Sequence, residues 1–257
     1  VVRYRAVMEA TSAKQSVDAS GVLREMRMFK APEELATMKR AIQMIEDVLR
    51  SVLPRVKPGV SELDLVAELE YQMKKHGAAG PAFDTMVLAG KKAGQPHGVP
   101  DSRKIEPGEL VLFDTGGIVD GYHSDITRTF AVGDVNEQLV DMYETVLQAN
   151  LAAIAAVRPG QHFADIDKAA RDVIQRNGYG DFYLTRVGHG IGLEIHEYPS
   201  MHANNVEQAR EGMVFTIEPG IYNPLLAGVR IEDNVYVTST GVEVLTSFPK
   251  HLMVIGG

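Results

Sequence analysis

The chain has 257 residues, 45% of them hydrophobic and 23% charged, as in ordinary globular proteins. Its formal net charge of −8 argues against nucleic acid or a membrane as a partner, and the absence of cysteine excludes disulfides and thiolate metal sites. No apolar stretch approaches the roughly 20 residues of a membrane span and no signal peptide opens the chain, so we expect a cytoplasmic protein.

Residues 1–29 carry no assignable pattern, and the first regular element is an amphipathic helix that begins at Pro32. Its apolar residues recur at spacings of three and four: Leu35, Met38, Ile42, Ile45, Leu49 and Val52. Residues 54–59 end it. Ser61, followed by Asp64, then predicts a capped second helix that runs to about residue 77.

The same order of patterns returns later in the chain. Gly59 and Gly160 both end a Lys/Arg-Pro-Gly sequence and are 101 positions apart. A helical segment from about Asn136 to Val157 precedes the second copy, and a further helix follows it. Lys/Arg-Pro-Gly alone is a common end of a helix. Here, however, the first helix, the turn and the second helix of the two copies match at a constant spacing, which favours an internal duplication.

Short β-rich segments with glycine turns follow each pair of helices. They are residues 85–88, 110–113 and 126–132 in the first copy, and residues 214–217 and 229–238 in the second. Two α-α-β halves predict an α+β domain in which helices cover the outer face of a curved antiparallel sheet.

Five side chains that can bind a metal lie at the ends of these apolar runs or between glycines. They are Asp114, Asp125, His189, Glu218 and Glu232. A single acid of this kind would more simply be solvated or ion-paired. A carboxylate at the end of a buried strand must be paired or bound to a cation, since leaving it bare costs several kcal/mol. Four acids and one imidazole, contributed by both halves, predict a cleft that holds two ions of Mn²⁺, Co²⁺, Fe²⁺ or Zn²⁺.

Two further histidines have contexts that suggest catalysis. His196 follows His189 by seven residues, and His97 lies between Pro96 and Gly98 in the first half. A lone histidine is more often a structural hydrogen-bonding group. One histidine as a ligand and two beside the metals is a coherent division of roles, so the residues alone predict a dinuclear metallohydrolase without naming its substrate.

Several motifs together resemble those of the pita-bread metallopeptidases, the family of methionine aminopeptidases, aminopeptidase P and prolidase. They are Phe113-Asp114-Thr115-Gly116, the stretch 124–129, the stretch 188–197, the stretch 216–220 and the stretch 229–233. The resemblance runs from about Phe29 to Pro249. Within the family, Arg230-Ile231-Glu232-Asp233 resembles the Xaa-Pro peptidases, whereas methionine aminopeptidases usually carry a Glu-His pair there.

The resemblance implies the pita-bread fold, with two pseudo-symmetric halves, and a role for each predicted ligand. Asp114 and Asp125 would hold one metal ion, and Asp125 would also bridge to the second. His189 and Glu218 would complete the second, and Glu232 would bridge. Mn²⁺ is the metal expected first.

The resemblance also implies the catalytic and substrate-binding groups. Glu218 would accept a proton and pass it towards the leaving nitrogen. His97 and His196 would hydrogen-bond the substrate, and Arg230 would orient either the substrate or a neighbouring carboxylate. The substrate would be a short peptide cleaved before proline, by an Xaa-Pro dipeptidase or aminopeptidase that forms a homodimer.

By the same resemblance, residues 1–29 would be the remnant of an N-terminal domain and its linker, and residues 30–257 the catalytic domain. Methionine aminopeptidase is the second enzymatic reading. A pita-bread binding protein without catalysis is disfavoured, because all five expected ligand positions are filled. The choice between dipeptidase and aminopeptidase, and the physiological metal, stay open from sequence.

Overall fold

The computed structural model describes residues 2–11, 14–95 and 98–256. Its helices are α1 (Val2–Thr11), α2 (Ser20–Met28), α3 (Pro32–Val52), α4 (Glu62–Lys75), α5 (Glu137–Ala156) and α6 (Phe163–Arg176). Short 3-10 turns span Leu53–Arg55, Gly90–Gly94 and Gly180–Phe182. In this part of the chain, no helix is long and apolar enough to cross a membrane.

The strands of the first half are β1 (Met86–Ala89), β2 (Leu110–Thr115), β3 (Ile118–Val119), β4 (Tyr122–His123) and β5 (Ile126–Val132). Those that follow α6 are β6 (Gly188–Gly190), β7 (Glu197–Met201), β8 (Val214–Ile217), β9 (Gly220–Asn223), β10 (Ala227–Arg230), β11 (Asp233–Val237), β12 (Val242–Val244) and β13 (Val254–Ile255). The α+β class expected from the sequence is therefore confirmed.

The helix ends follow the local signals in the sequence. Ser61 Oγ accepts the backbone N–H of Asp64 at 3.1 Å, while the Asp64 carboxylate accepts the N–H of Ser61 at 3.1 Å. This reciprocal capping box starts α4. At α5, Asn136 Oδ1 accepts the N–H of Leu139 at 2.9 Å. These side chains satisfy backbone donors that the first helical turn leaves without partners.

The repeat is visible in the backbone as well as in the order of elements. Gly59 and Gly160, which are 101 positions apart, have φ values of 89° and 85°. The glycines that follow the second helix of each half, Gly77 and Gly178, have φ values of 88° and 84°. A side chain beyond hydrogen would strain these left-handed positions, so the turns require glycine.

The predicted curved sheet is built from two main sheets, one formed by first-half strands with the C-terminal β13 added and one formed by second-half strands. The first has the order β1-β2-β5-β13, and the second has the order β12-β11-β8-β6-β7. Their pairings are antiparallel except for β13, which runs parallel to β5. Two-stranded ladders β3-β4 and β9-β10 complete the set. The predicted strand 229–238 is divided into β10 and β11, with Ile231 and Glu232 between them.

Each half has its own hydrophobic core between its helices and its sheet. In the first, Leu49 of α3 and Phe130 of β5 are buried, and the Phe130 ring meets Phe113 edge-on at 5.5 Å. In the second, Phe163 of α6 meets Phe215 of β8 edge-on at 5.8 Å. Full burial of one such side chain stabilises the fold by about 1.5–3 kcal/mol.

The halves join where β5 lies beside the segment that leads into β11. The backbone N–H of Glu232 donates to the carbonyl of Thr127 at 3.1 Å. Arg128, which is only 1% exposed, donates to the Glu232 carbonyl at 2.6 Å and to the Asp233 carboxylate at 2.7 Å. A buried guanidinium with these partners holds residue 232 of the second half against the first half.

Candidate metal centre

The two aspartates of the first half are placed by the β2-β5 ladder. Asp114 lies in β2 opposite Thr127, and Asp125 comes immediately before β5. Because alternate residues of a strand point to the same face, Asp125 and Thr127 share a face with Asp114. The two carboxylates therefore lie nearly opposite each other, as their hairpin arrangement in the sequence predicts.

The two glutamates lie in a gap between two ladders of the second half. The β8-β11 ladder ends with Ile217 opposite Asp233, and the β9-β10 ladder begins with Gly220 opposite Arg230. Glu218 follows the last residue of β8, and Glu232 comes before the first residue of β11. The register therefore places the two glutamates on neighbouring segments at the same end of the sheet.

Three of the predicted ligands form one compact group. Asp125, His189 and Glu232 are buried, and one ligand atom from each lies within 4.8 Å of the other two. Glu218 joins them, since its Oε1 is 3.3 Å from His189 Nε2. The carboxylate of Asp114 lies outside this tightest group and is held by Arg230. The structure thus brings four of the five ligands together directly, with the fifth alongside.

His189 presents a lone pair to the carboxylates. Its Nδ1 lies 3.0 Å from the carbonyl oxygen of Gly190, so Nδ1 carries the proton and donates. Burial lowers the pKa of His189 to about 4, so the ring is neutral at pH 7. Its unprotonated Nε2 faces Asp125 Oδ2 at 3.6 Å and Glu218 Oε1 at 3.3 Å. A lone pair that faces two carboxylates at these distances is repelled by them unless a proton or a metal cation lies between.

The carboxyl pKa values show the same electrostatic conflict. Burial raises the pKa of Asp125 well above its usual range, and Glu232 and Asp114 add to that shift. Burial likewise raises the pKa of Glu232 well above its usual range, with Glu218 as the next contributor. The pKa of Glu218 is also raised, again mainly by burial. Without a cation, burial and mutual repulsion therefore disfavour the ionisation of all these acids together.

Two carboxylate oxygens provide the test of whether a metal fits. Asp125 Oδ1 and Glu232 Oε1 are buried, and neither has a hydrogen-bond partner among the described residues. Buried polar atoms are almost always bonded, so each of these oxygens calls for a ligand. Both are hard donors, as divalent Mn²⁺, Co²⁺, Fe²⁺ or Zn²⁺ in an oxygen-rich site requires. The residues present therefore fit divalent metal ions.

Arg230 organises the carboxylates around this site. It ion-pairs with Asp114, and it donates through Nη1 to the Tyr222 hydroxyl at 2.7 Å and through Nε to Thr127 Oγ1 at 3.0 Å. Thr127 Oγ1 in turn donates to Glu232 Oε2 at 2.7 Å. From the sequence, Arg230 was expected to orient either the substrate or a neighbouring carboxylate. These contacts favour the orientation of carboxylates.

A cavity of about 580 Å³ lies beside the centre, on the side of His196, although none of the five predicted ligands lines it. His196 lines it, and its ring meets the His189 ring edge-on with 4.3 Å between centroids. Three arginines and two glutamates line the same cavity: Arg27 pairs with Glu194 and Glu197, Arg24 pairs with Glu207, and Arg186 is the third arginine. His97, the other histidine predicted to contact substrate, lies outside the described residues.

Arg186 is a candidate site residue that the sequence analysis missed. Ser200 is the cross-strand partner of His189, so its side chain is on the face of the metal ligands. Arg186 Nη1 donates to Ser200 Oγ at 3.0 Å. In the described part of the chain no carboxylate lies within 4.0 Å of it, whereas Arg24 pairs with Glu207. The available sequence signal was a basic residue three positions before a predicted ligand.

Comparison with known proteins agrees with this architecture. The model of metallopeptidase family M24 matches residues 36–239. An Xaa-Pro dipeptidase of Pyrococcus furiosus is 40% identical over 245 residues, which are 95% of this chain and 70% of that protein. The solved structure of an X-Pro aminopeptidase from Thermotoga maritima has a TM-score of 0.95 at 34% identity, covering 98% of this chain and 72% of that one.

A second solved structure, an Xaa-Pro dipeptidase from Bacillus anthracis, has a TM-score of 0.90 at 40% identity, covering 91% of this chain and 66% of that one. The pita-bread fold implied by the sequence motifs is thereby confirmed. The family match covers most of the chain. The two structural halves and the buried group of acids with one imidazole are consistent with it. This chain belongs to metallopeptidase family M24.

Proposed function

We propose that this peptidase hydrolyses the bond that precedes proline in short peptides, using two divalent metal ions, with Mn²⁺ as the first candidate. The observation that carries the proposal is the buried group of Asp125, His189, Glu218 and Glu232, whose converging oxygen and nitrogen atoms fit a divalent cation. Preference for proline rests on the Arg-Ile-Glu-Asp sequence that contains Glu232, and on relatives named as Xaa-Pro dipeptidases.

The proposed ligands are the five residues predicted from the sequence, Asp114, Asp125, His189, Glu218 and Glu232. When bound, the metal ions supply Lewis-acid polarisation of the scissile carbonyl and lower the pKa of water. These five residues lie on strands and at strand ends of both halves. Arg230 and Thr127 keep Asp114 and Glu232 in fixed orientations.

Glu218 is the proposed proton acceptor. In the metal-free protein burial raises the pKa of its carboxyl group, the direction that favours taking up a proton and returning it to the leaving nitrogen. The threonine two residues earlier, Thr216, donates to Glu218 Oε1 at 3.3 Å and keeps it on the side of His189. His196, at the wall of the cavity, is the proposed hydrogen-bond donor to the substrate, and His97 is proposed for the same role from the sequence.

Arg186, beside the proposed centre, favours substrates whose free carboxylate lies close to the cleaved bond. In an Xaa-Pro dipeptide, the proline carboxylate is one residue from that bond. Arg186 has the charge and position to receive it, because its guanidinium lies on the face of the metal ligands with a serine hydroxyl as its only side-chain partner in the described chain. We therefore propose that dipeptides are better substrates than longer peptides.

The central experiment removes the metal and asks which ion and which substrate restore turnover. After chelation, Mn²⁺ or Co²⁺ is expected to restore cleavage of Ala-Pro, with Zn²⁺ and Fe²⁺ tested beside them. Met-Pro and Met-Ala-Ser peptides run in parallel separate this function from methionine aminopeptidase. Cleavage of Met-Ala-Ser but not of Met-Pro would favour the second enzyme, and no cleavage of any proline peptide with any metal would contradict the proposal.

Arg186→Ala is expected to lower kcat/KM for Ala-Pro by about 10- to 100-fold, because a hydrogen bond to a charged group contributes about 1.5–3 kcal/mol. Cleavage of Ala-Pro-amide, which has no carboxylate, should change much less. The ratio of the two kcat/KM values is the measurement. Arg24→Ala is the matched control, since Arg24 lines the same cavity but is held by Glu207 and by the Tyr198 ring. An unchanged ratio in Arg186→Ala would remove the proposed carboxylate contact.

A further inference from the structure

A single buried amide joins the two segments that carry the glutamate ligands. Asn150 lies on α5 and is fully buried. Its Nδ2 donates to the backbone carbonyl of Ile217 at 3.2 Å and to that of Ile231 at 3.2 Å. These two isoleucines directly precede Glu218 and Glu232. One side chain therefore bonds both glutamate-bearing segments at the position just before each ligand.

The amide is fixed in orientation by its other end. Asn150 Oδ1 accepts from the ammonium group of Lys250 at 3.0 Å. Because an ammonium can only donate, the oxygen must face Lys250 and both N–H bonds must point to the two carbonyls. Lys250 is itself held by the Asp233 carboxylate at 2.8 Å. Asn150 thus has no freedom to flip and no unused donor.

The location of these bonds explains why they matter. Glu218 and Glu232 lie in the gap between the β8-β11 and β9-β10 ladders, where regular strand pairing is interrupted. The Ile231 N–H reaches across this gap to the Pro219 carbonyl only at 3.4 Å, so no continuous ladder of hydrogen bonds sets the backbone spacing there. Asn150 supplies two bonds across it from the helix that covers the sheet.

We propose that Asn150 is a positioning residue that sets the spacing of Glu218 and Glu232 and so determines how tightly the centre holds its metal ions. This inference rests on the proposed two-metal function, but it concerns a helix residue that contacts neither metal nor substrate. Aspartate has the same shape but no N–H to donate, and it would face two carbonyl oxygens with negative charge. Leucine would leave both carbonyls without this partner.

The test compares metal release from wild type with release from Asn150→Asp and Asn150→Leu. All proteins are prepared with Mn²⁺ present, because a bound metal stabilises the folded state by mass action. Mn²⁺ transfer to a chelator and Mn²⁺ affinity by calorimetry are then measured. We expect affinity to fall by about 10- to 100-fold in both variants, the usual effect of losing a group that orients a ligand. The EPR signal of the bound Mn²⁺ should also change, since coupling between neighbouring ions depends on their spacing.

Tyr143→Phe is the matched control. Tyr143 is buried on the same helix and donates to the backbone carbonyl of Lys250 at 2.8 Å, without reaching the strands of the ligands. Its loss should lower stability while leaving Mn²⁺ affinity and the EPR signal as in wild type. If Asn150→Asp and Asn150→Leu keep the Mn²⁺ affinity and the EPR signal at wild-type values, the inference is overturned. If wild type holds two Mn²⁺ but cleaves no Xaa-Pro peptide, the substrate proposal fails while the role of Asn150 is still decided by these measurements.

Discussion

Glu218→Gln is expected to lower kcat/KM for an Xaa-Pro dipeptide by about 100- to 10,000-fold, the range for loss of a general acid–base group. Glutamine keeps the shape of the side chain. It has no negative charge for a metal ion, and its amide cannot accept and return a proton at neutral pH. The change removes the carboxylate that lies 3.3 Å from His189 Nε2 and that is oriented by Thr216.

Metal analysis of the same variant separates the two roles of Glu218. An inactive protein with two metal ions bound would identify it chiefly as the proton acceptor, and an inactive protein with reduced metal content would identify it chiefly as a ligand. Glu211→Gln serves as the control, because Glu211 is exposed. Its activity should stay within about twofold of wild type, as for most surface changes. Glu218→Gln with wild-type activity would exclude both roles.

Removal of the metal is expected to destabilise the protein at neutral pH. Mild acid, which usually destabilises a folded protein, should then stabilise the metal-free form relative to the metal-loaded form. Ions present at 100 times their Kd would contribute about 2.7 kcal/mol, or roughly 5–10 °C in Tm for a domain of this size. In the metal-free protein, burial raises the carboxyl pKa values of Asp125, Glu218 and Glu232.

The sign of the pH effect follows from those directions. A carboxyl group with a raised pKa in the folded state binds protons more tightly there than in the unfolded chain. Its stabilising contribution is complete below the ordinary pKa of about 4, and it is lost as pH rises through the folded-state value. Metal-free protein should therefore gain stability, relative to metal-loaded protein, as the pH falls from 8 towards 5.

Thermal unfolding of both forms between pH 5 and pH 8 measures this difference. The gap in Tm should be widest at the highest pH, where the carboxylates are ionised without a cation, and should narrow towards pH 5. Metal affinity also falls when ligands are protonated, which narrows the gap in the same direction. A gap that does not vary with pH would contradict the electrostatic account of the centre.

The amino-acid sequence by itself determined the four helices α3 to α6, and it predicted the chemical character of the site, but it did not predict α1 and α2. Ser61 with Asp64 and Asn136 mark helix starts through local hydrogen bonds, and the structure has those bonds. The turns at Gly59 and Gly160 require only that the backbone adopt a left-handed conformation at one residue. The four acidic ligands that we propose were predicted because a charged group at the end of an apolar run is energetically costly unless it has a partner. All these signals lie within a few residues of the feature they predict.

Only the tertiary structure decided which distant groups meet. Arg230 binds Asp114, 116 residues away in the chain, and Asn150 reaches carbonyls 67 and 81 residues away. Arg186 becomes a candidate for substrate binding because strand register places Ser200 opposite His189. Such partners depend on the packing of helix on sheet and on the pairing of strands from separate parts of the chain. Local residue patterns carry no record of those contacts, because they form only when the two halves close around a shared centre.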